Sequence, residues 1–189
     1  MSALESALLG LAEVLEERKI PYMVIGGLAN AVWGEPRATL DVDVTVWVED
    51  REIARAIADL TSGFRALDAD PVAFVGRTRV LPLESGEGVR MDVIFGLLPF
   101  EQEAIRRAVP VAIGGRSIRF CTAEDLVLMK IISSRDRDQA DARAIVLRRL
   151  ADLDLGYLEP RIAELATLLA RDDIKLRWEE WKDSAAGGR

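Results

Sequence analysis

The chain of 189 residues contains no histidine and only one cysteine, Cys121. The lack of histidine excludes Ser-His-Asp and Cys-His catalysis, and also histidine-ligated zinc. A single cysteine excludes an intrachain disulfide and a cysteine-cluster metal site, and the neighbours in IRFCTAED indicate a small core residue. Any general base must therefore be a carboxylate, a lysine, a tyrosine or a metal-bound water.

The sequence also lacks long apolar runs and an excess of positive charge. No apolar run approaches the roughly 18 residues that a membrane-spanning helix needs, so we expect no membrane partner. The start, MSALESALLG, does not predict a signal peptide, and we expect a cytoplasmic protein. The net charge of −7 disfavours non-specific binding to long nucleic acid duplexes, which depends on many Lys and Arg contacts. The apolar fraction of 50% is sufficient for a packed core.

The richest pattern lies between Tyr22 and Val48, YMVIGGLANAVWGEPRATLDVDVTVWV. It predicts a strand, a Gly-Gly turn, a short helix from Leu28, a polar loop and a second strand. In the second strand apolar residues alternate with polar ones, so Asp41 and Asp43 point to the same face. Their Cα atoms are expected to lie roughly 6.6 Å apart, which lets two carboxylates share a metal ion. The alternative is a solvated polar face on an edge strand.

Two further features of this stretch suit phosphate groups. Gly26 and Gly27 stand between a strand and a helix, where backbone N–H groups point outward and glycine lets an anion come close. The alternative is a plain tight turn. Arg37 precedes the aspartate strand and is interpreted either as a guanidinium fork for a phosphate or carboxylate, or as a surface arginine.

A third aspartate lies in the strand predicted over VRMDVIF, where Asp92 falls on the face opposite to Met91 and Val93. If RVLPLE and VRMDVIF form a hairpin beside the aspartate strand, Asp92 can lie next to Asp41 and Asp43. The proline in RVLPLE predicts an edge strand or a bulge. Three carboxylates this close repel one another unless a cation neutralises them, and Mg²⁺ prefers such oxygen ligands.

The other segments are predicted from periodicity and turn residues. Residues 2–19 predict an amphipathic helix capped by Ser2. Residues 66–70 predict a short strand followed by a loop or a short helical turn. Residues 109–120 predict a β-hairpin that turns at a Gly-Gly pair. The last few residues are predicted to be disordered.

Two helical stretches follow, one from Thr122 and one from about residue 136 to 150. If they form one continuous helix, Lys130 and Asp141 fall within about 20° of the same face. Ser134 and Arg137 would lie on that face too. The alternative is a solvated stripe of charges on an exposed helix surface.

Taken together, these residues resemble the nucleotidyltransferase superfamily with the polymerase-beta-like fold. The order is an apolar strand ending in Gly-Gly, a helix, an arginine, the DVDV strand and a strand with a third aspartate. The segment AEDLVLMKIISSRDRDQAD resembles the AbiEii/AbiGii-type toxin branch, whose members are usually paired with an antitoxin. The resemblance covers Ile20 to Leu150. It implies an α+β fold in which helices flank a small mixed sheet, with a nucleotidyltransferase core over residues 1–120 and a helical C-terminal region over residues 121–189.

The resemblance also implies roles for particular residues. Gly26 and Gly27 match the phosphate-binding turn, although this turn reads GGLAN and not Gly-Ser. Asp41 and Asp43 match the metal-binding pair. Asp92 matches the third carboxylate, which binds metal or acts as the base in many members.

Four residues are assigned to the nucleotide by the same resemblance or by their chemistry. Lys130 matches a catalytic lysine that contacts the nucleotide phosphates. Asp138 or Asp141 matches its acidic partner, and Arg37 is counted among the nucleotide-binding residues.

The predicted activity is therefore transfer of a nucleoside monophosphate from an NTP to an acceptor hydroxyl by a two-metal mechanism, with Mg²⁺ (or Mn²⁺) as cofactor. The acceptor is left open between tRNA or another RNA, a protein and a small molecule, and an antitoxin is a possible partner. Two alternatives belong to other classes. One is a non-catalytic nucleotide-binding protein of the same fold, and the other is a metal-free interaction domain with the aspartates as surface charges.

Overall fold

Residues 1–187, which the computed structural model describes, divide into two compact units. The sheet unit comprises Met1–Ala29 and Ala38–Cys121. The helical unit comprises Asn30–Arg37 and the chain from Thr122 onward. The short segment Asn30–Arg37 therefore belongs with the C-terminal helices, although it lies far from them in sequence.

The strands of the sheet unit are β1 (Tyr22–Val24), β2 (Asp41–Val46), β3 (Arg65–Ala66), β4 (Val80–Glu84), β5 (Arg90–Phe95), β6 (Val109–Ile113) and β7 (Arg116–Phe120). Within residues 1–187 these seven strands form one sheet in the order β3-β4-β5-β2-β1-β7-β6. The β2–β5 and β1–β7 pairs are parallel, and the other neighbours are antiparallel. The predicted mixed sheet is thus confirmed.

The helices of the sheet unit are α1 (Ala3–Glu17), α3 (Ile53–Thr61), α4 (Pro71–Thr78) and α5 (Pro99–Arg107), with a 3-10 turn at Asp50–Glu52. Helix α2 (Gly26–Trp33) begins in this unit, and its last residues belong to the helical unit. The helical unit also contains α6 (Ala123–Ile131), α7 (Asp136–Arg149), α8 (Leu155–Leu168) and α9 (Asp173–Gly187).

The core of the sheet unit follows from the alternation read in β2 and β5. Every second residue of each strand is buried, while the aspartates between them are only partly covered. The buried residues are Val42, Val44 and Val46 in β2 and Met91, Val93 and Phe95 in β5. Because side chains alternate between faces, burying these valines fixes the aspartates on the opposite face.

Local sequence signals explain where several elements begin and turn. Ser2 caps α1 in a capping box with Glu5, as the sequence predicts. Gly114 and Gly115 join β6 to β7 with φ of +55° and +80°, a conformation that glycine adopts without steric strain. The predicted N-terminal helix and the hairpin are both confirmed.

One prediction in the region of β4 is wrong, and another is decided between its alternatives. Strand β4 is not an edge strand, because β3 pairs with its other side. Pro82 is tolerated because its missing N–H would point toward Leu67, just beyond the last paired residue of β3, and not toward β5. The carbonyl of Pro82 points to the same side and accepts from the N–H of Leu67. After residues 66–70, where the sequence predicts a loop or a short helical turn, the structure has the eight-residue helix α4, which Asp70 caps with Pro71 in its first turn.

The structure also answers the two predictions about the C-terminal segments. Helices α6 and α7 are separate, so the two predicted helical stretches are confirmed and the condition that they form one continuous helix is not met. Helix α9 continues to Gly187. The predicted disorder of the last few residues includes residues 188 and 189, which lie outside the described residues.

Candidate active site

The carboxylates predicted for a metal site come from neighbouring strands of the sheet unit. Strands β2 and β5 pair in parallel, with Asp43 opposite Asp92 and Asp41 opposite Arg90. Paired residues of adjacent strands point to the same face, and Asp41 and Asp43 share a face because they are two residues apart. Asp41, Asp43 and Asp92 therefore lie on one face of two adjacent strands, and β5, which carries Asp92, forms the predicted hairpin with β4.

Arg90 is a member of this group that the sequence did not single out. Its Nε donates to both carboxylate oxygens of Asp92 at 3.2 Å, and its Nη2 lies 3.1 Å from Oδ1. The hydrogen bond with Asp92, followed by the charges of Asp92, Asp41 and Asp43, raises the pKa of Arg90 above its ordinary value. The signal in the sequence was the i,i+2 spacing that puts Arg90 and Asp92 on one face of the strand. We call the surface formed by Asp41, Asp43, Arg90 and Asp92 the acidic face.

The glycine turn lies against the acidic face. Gly26 has φ of +65°, and a Cβ placed on it would collide with the carboxylate of Asp43. A Cβ on Gly27 would collide with the side chain of Thr39, whose Oγ1 donates to Oδ1 of Asp41 at 2.7 Å. Both glycines are thus needed for close approach to the aspartate strand. Helix α2 begins at Gly26, two residues before the predicted start, so these glycines form its first turn.

The donor chemistry of the acidic face suits a hard divalent cation, because its oxygens are carboxylates on one surface. In this arrangement Asp92 is occupied by Arg90. Among residues 1–187, no group of three or more His, Cys, Asp or Glu side chains is gathered closely enough to hold a metal ion. Metal binding by Asp41, Asp43 and Asp92 stays a prediction.

A second charged group lies in the helical unit and is buried. The Nζ of Lys130, on α6, donates to Oδ1 of Asp138 at 2.9 Å and to Oδ2 of Asp141 at 2.8 Å. Arg37 donates to Asp141 from Nη2 at 3.0 Å and from Nε at 3.2 Å. The side chain of Lys130 is only 6% exposed. We call Arg37, Lys130, Asp138 and Asp141 the buried ionic network.

The break between α6 and α7 changes how this network forms. Lys130 meets the two aspartates across the break and not along one helix face. Ser134 and Arg137 would share a face with Lys130 only on a continuous helix, and in the structure, where the helix is broken, both are exposed. Ser133 and Arg135 instead donate to Asp138, at 2.8 and 2.6 Å.

Electrostatics in the network favour the ionised aspartates. Burial acts to raise the pKa of Asp138, but hydrogen bonds from Lys130, Ser133 and Arg135 outweigh it and leave the pKa below its usual value. Burial likewise acts to raise the pKa of Asp141, and the bonds from Arg37 and Lys130 outweigh it. The predicted nucleotide contacts of these residues stay predictions, because in the structure their charges are paired with one another.

Solved structures with the same fold are found among nucleotidyltransferases. One is an antigenic nucleotidyltransferase-like protein from Paracoccidioides brasiliensis, with a TM-score of 0.54 and 19% identity over 93% of this chain and 92% of that one. Another is the antibiotic-resistance factor ANT(2'')-Ia, with a TM-score of 0.58 and 17% identity over 90% of this chain and 95% of that one. The lincosamide antibiotic adenylyltransferase LnuA, with lincomycin bound, has a TM-score of 0.51 and 15% identity, covering 77% and 96%. The predicted nucleotidyltransferase fold is confirmed.

The family is shown by sequence. The chain belongs to the family described as nucleotidyltransferase of unknown function (DUF6036), whose model matches residues 3–185. No curated protein is similar enough in sequence to count as a match. Membership of the nucleotidyltransferase superfamily is therefore confirmed, whereas the AbiEii/AbiGii branch stays a prediction. Within residues 1–187, no helix is both long and apolar enough to cross a membrane.

Proposed function

We propose that this protein is a Mg²⁺-dependent (or Mn²⁺-dependent) nucleotidyltransferase that moves a nucleoside monophosphate from an NTP to an acceptor hydroxyl. The observation that carries the proposal is the β2–β5 register, which sets Asp43 beside Asp92 with Asp41 on the same face. The glycine turn against Asp43 adds a helix N-terminus suited to phosphate oxygens. Membership of a family described as nucleotidyltransferases supports the same reaction.

Each residue of the candidate site has its own role in the proposed reaction. Asp41 and Asp43 would hold the cation, and the amides of Gly26 and Gly27 would donate to phosphate oxygens. When bound, the cation would neutralise charge on the triphosphate and would lower the pKa of the acceptor hydroxyl. Asp92 takes the proton as the acceptor oxygen bonds to the α-phosphorus, the bond to the β-phosphate oxygen breaks and pyrophosphate leaves.

Two observations guide the choice of acceptors to test. The structural relatives ANT(2'')-Ia and LnuA are described as an antibiotic-resistance factor and an antibiotic adenylyltransferase. These descriptions place antibiotics, lincosamides among them, in an acceptor panel beside tRNA, total RNA and protein. A small acceptor also agrees with the net charge of −7, which offers little general attraction for extended RNA.

The test is incubation of the protein with each labelled NTP, Mg²⁺ and either the acceptor panel or a cell extract. We expect one labelled product in the wild type and none in Asp43→Asn, which keeps the side-chain shape but removes the charge. The matched control is Asp50→Asn, because Asp50 is an 83% exposed aspartate that follows β2 and pairs with Arg79. Undiminished labelling by Asp43→Asn would remove the cation site from the proposal.

The alternative is a non-catalytic nucleotide-binding protein of the same fold. The observation that favours it is the pairing of Asp92 with Arg90, which occupies the carboxylate that would act as the base. This alternative expects Mg²⁺-dependent stabilisation by an NTP without release of pyrophosphate. A ligand at a hundredfold excess over its Kd stabilises a protein by about 2.7 kcal/mol, which a thermal shift detects. A toxin role, an antitoxin partner and a cytoplasmic location stay predictions.

A further inference from the structure

The register across the sheet surrounds Arg90 with carboxylates. Asp41 faces Arg90 from β2, and Glu84 faces it from β4. Glu84 is itself engaged by Arg65 at 2.5 Å. The guanidinium of Arg90 therefore pairs with Asp92, two residues along its own strand. Arg90 is the positive charge inside the acidic face.

The pairing of Arg90 is exposed enough to be exchanged. Its side chain is 58% exposed, against 20% for Asp92. Exposed ion pairs contribute little net stability, so a competing cation or anion can separate them at small cost. The Nη1 group of Arg90 is outside the bonds with Asp92, which leaves one edge of the guanidinium for a second partner.

We propose that Arg90 is a substrate-binding residue that exchanges Asp92 for a phosphate group of the substrate. This inference rests on the proposed function, because a cation at the acidic face is what displaces the guanidinium from Asp92. Once displaced, an exposed guanidinium needs an anion, and its planar fork matches two phosphate oxygens. The exchange couples binding of the cation to binding of the phosphate and frees Asp92 to accept the proton.

The strand order places Arg90 relative to the glycine turn and thereby leaves two sources for the phosphate. Strand β5 lies on one side of β2, and β1, which leads into the glycine turn, lies on the other. Arg90 and Gly26 thus flank the aspartate strand from opposite sides. A phosphate on Arg90 belongs either to the donor triphosphate reaching across the strand or to an acceptor that carries a phosphate beside its hydroxyl. The chemistry recognised is the same, and binding experiments separate the two sources.

The test compares Arg90→Gln with Arg106→Gln. Arg106 is a matched control, because it is a 64% exposed arginine that pairs with Glu103 on α5. Three quantities are measured: the affinity for Mn²⁺ alone, the affinity for Mg²⁺ with inorganic tripolyphosphate, and the transfer of label to an acceptor from extract. Tripolyphosphate stands for the donor phosphates without requiring the base to be known.

Arg90→Gln is expected to bind Mn²⁺ alone more tightly, because the positive charge of the guanidinium, which repels a cation from the acidic face, is gone. If the donor phosphate is the partner, tripolyphosphate binds roughly 10- to 100-fold more weakly, as for loss of a charged hydrogen bond. If the acceptor phosphate is the partner, tripolyphosphate binding and the KM for the NTP are unchanged and transfer to the acceptor falls. Arg90→Lys should restore part of either loss, which a purely structural role does not predict.

The inference is overturned if Mn²⁺ affinity is not raised in Arg90→Gln, or if both tripolyphosphate binding and transfer match those of Arg106→Gln. In that case the proposed function stands, provided that the wild type transfers label and Asp43→Asn does not. A wild type that binds neither Mn²⁺ nor tripolyphosphate overturns both the inference and the proposed function. Circular dichroism of each variant separates these results from misfolding.

Discussion

Replacing Lys130 with methionine tests the buried ionic network of the helical unit. Methionine keeps the length of the lysine stem and fills similar space, but it has no charge and no donor. The change removes the bonds from Nζ to Asp138 and Asp141, at 2.9 and 2.8 Å. It leaves two carboxylates that are only 10% and 9% exposed, each with fewer donors than before.

The size of the destabilisation depends on how the two remaining carboxylates are compensated. Removing one partner of a buried ion pair typically destabilises a protein by about 3–5 kcal/mol, because the other charge is left uncompensated. Here Arg135 still contacts Asp138 and Arg37 still contacts Asp141, so the lower end applies and we expect about 3 kcal/mol. For a chain of this length each kcal/mol lowers the Tm by roughly 2–4 °C, so Lys130→Met should melt roughly 6–12 °C lower.

The assay is urea and thermal unfolding at pH 7, followed by circular dichroism. Lys182→Met is the matched control, because Lys182 also bridges two carboxylates, Glu159 and Glu179, at 2.9 Å each, but is more exposed. Surface pairs of this kind contribute less than about 1 kcal/mol. If Lys130→Met is no more destabilising than Lys182→Met, burial does not set the strength of the network and the reasoning fails.

Two further predictions concern pH and the glycine turn. Because the pKa values of Asp138 and Asp141 are lowered in the folded protein, the stability that the two ionised carboxylates contribute is fully present above the ordinary Asp pKa of about 3.9 and is lost as the pH falls further. The free energy of unfolding should therefore fall less steeply between about pH 5 and 2.5 in Lys130→Met than in the wild type. Equal slopes would show that the acid sensitivity does not come from the buried ionic network. Gly26→Ala should abolish NTP transfer and destabilise by about 1–2 kcal/mol, because φ is +65° and the Cβ would collide with Asp43. Gly76→Ala is the control, since a Cβ there meets no atom within 4 Å, and equal activity in both variants would contradict the proposed turn.

Much of the fold could be predicted because local sequence determines it. The alternation in β2, the capping box at Ser2 and the Gly-Gly hairpin each depend on neighbouring residues, and each is confirmed. The sequence predicts two helical stretches here but leaves open whether they are continuous, because residues 132–135 contain no glycine or proline to mark a break. That break depends instead on tertiary contacts, in which Lys130 reaches Asp138 and Asp141 from a separate helix.

The candidate site shows a limit of a different kind, which concerns register. Burial of Val42, Val44 and their counterparts in β5 excludes a slip of one residue, since that would turn every valine to the other face. A slip of two residues keeps the same faces, and the sequence does not exclude it. It would set Asp92 opposite Asp41 and leave Arg90 opposite Thr39, without a carboxylate facing it from β2. The observed register sets Arg90 opposite Asp41 and Asp92 opposite Asp43, so the pairing of two strands, and not any motif within one of them, brings a guanidinium into the acidic face.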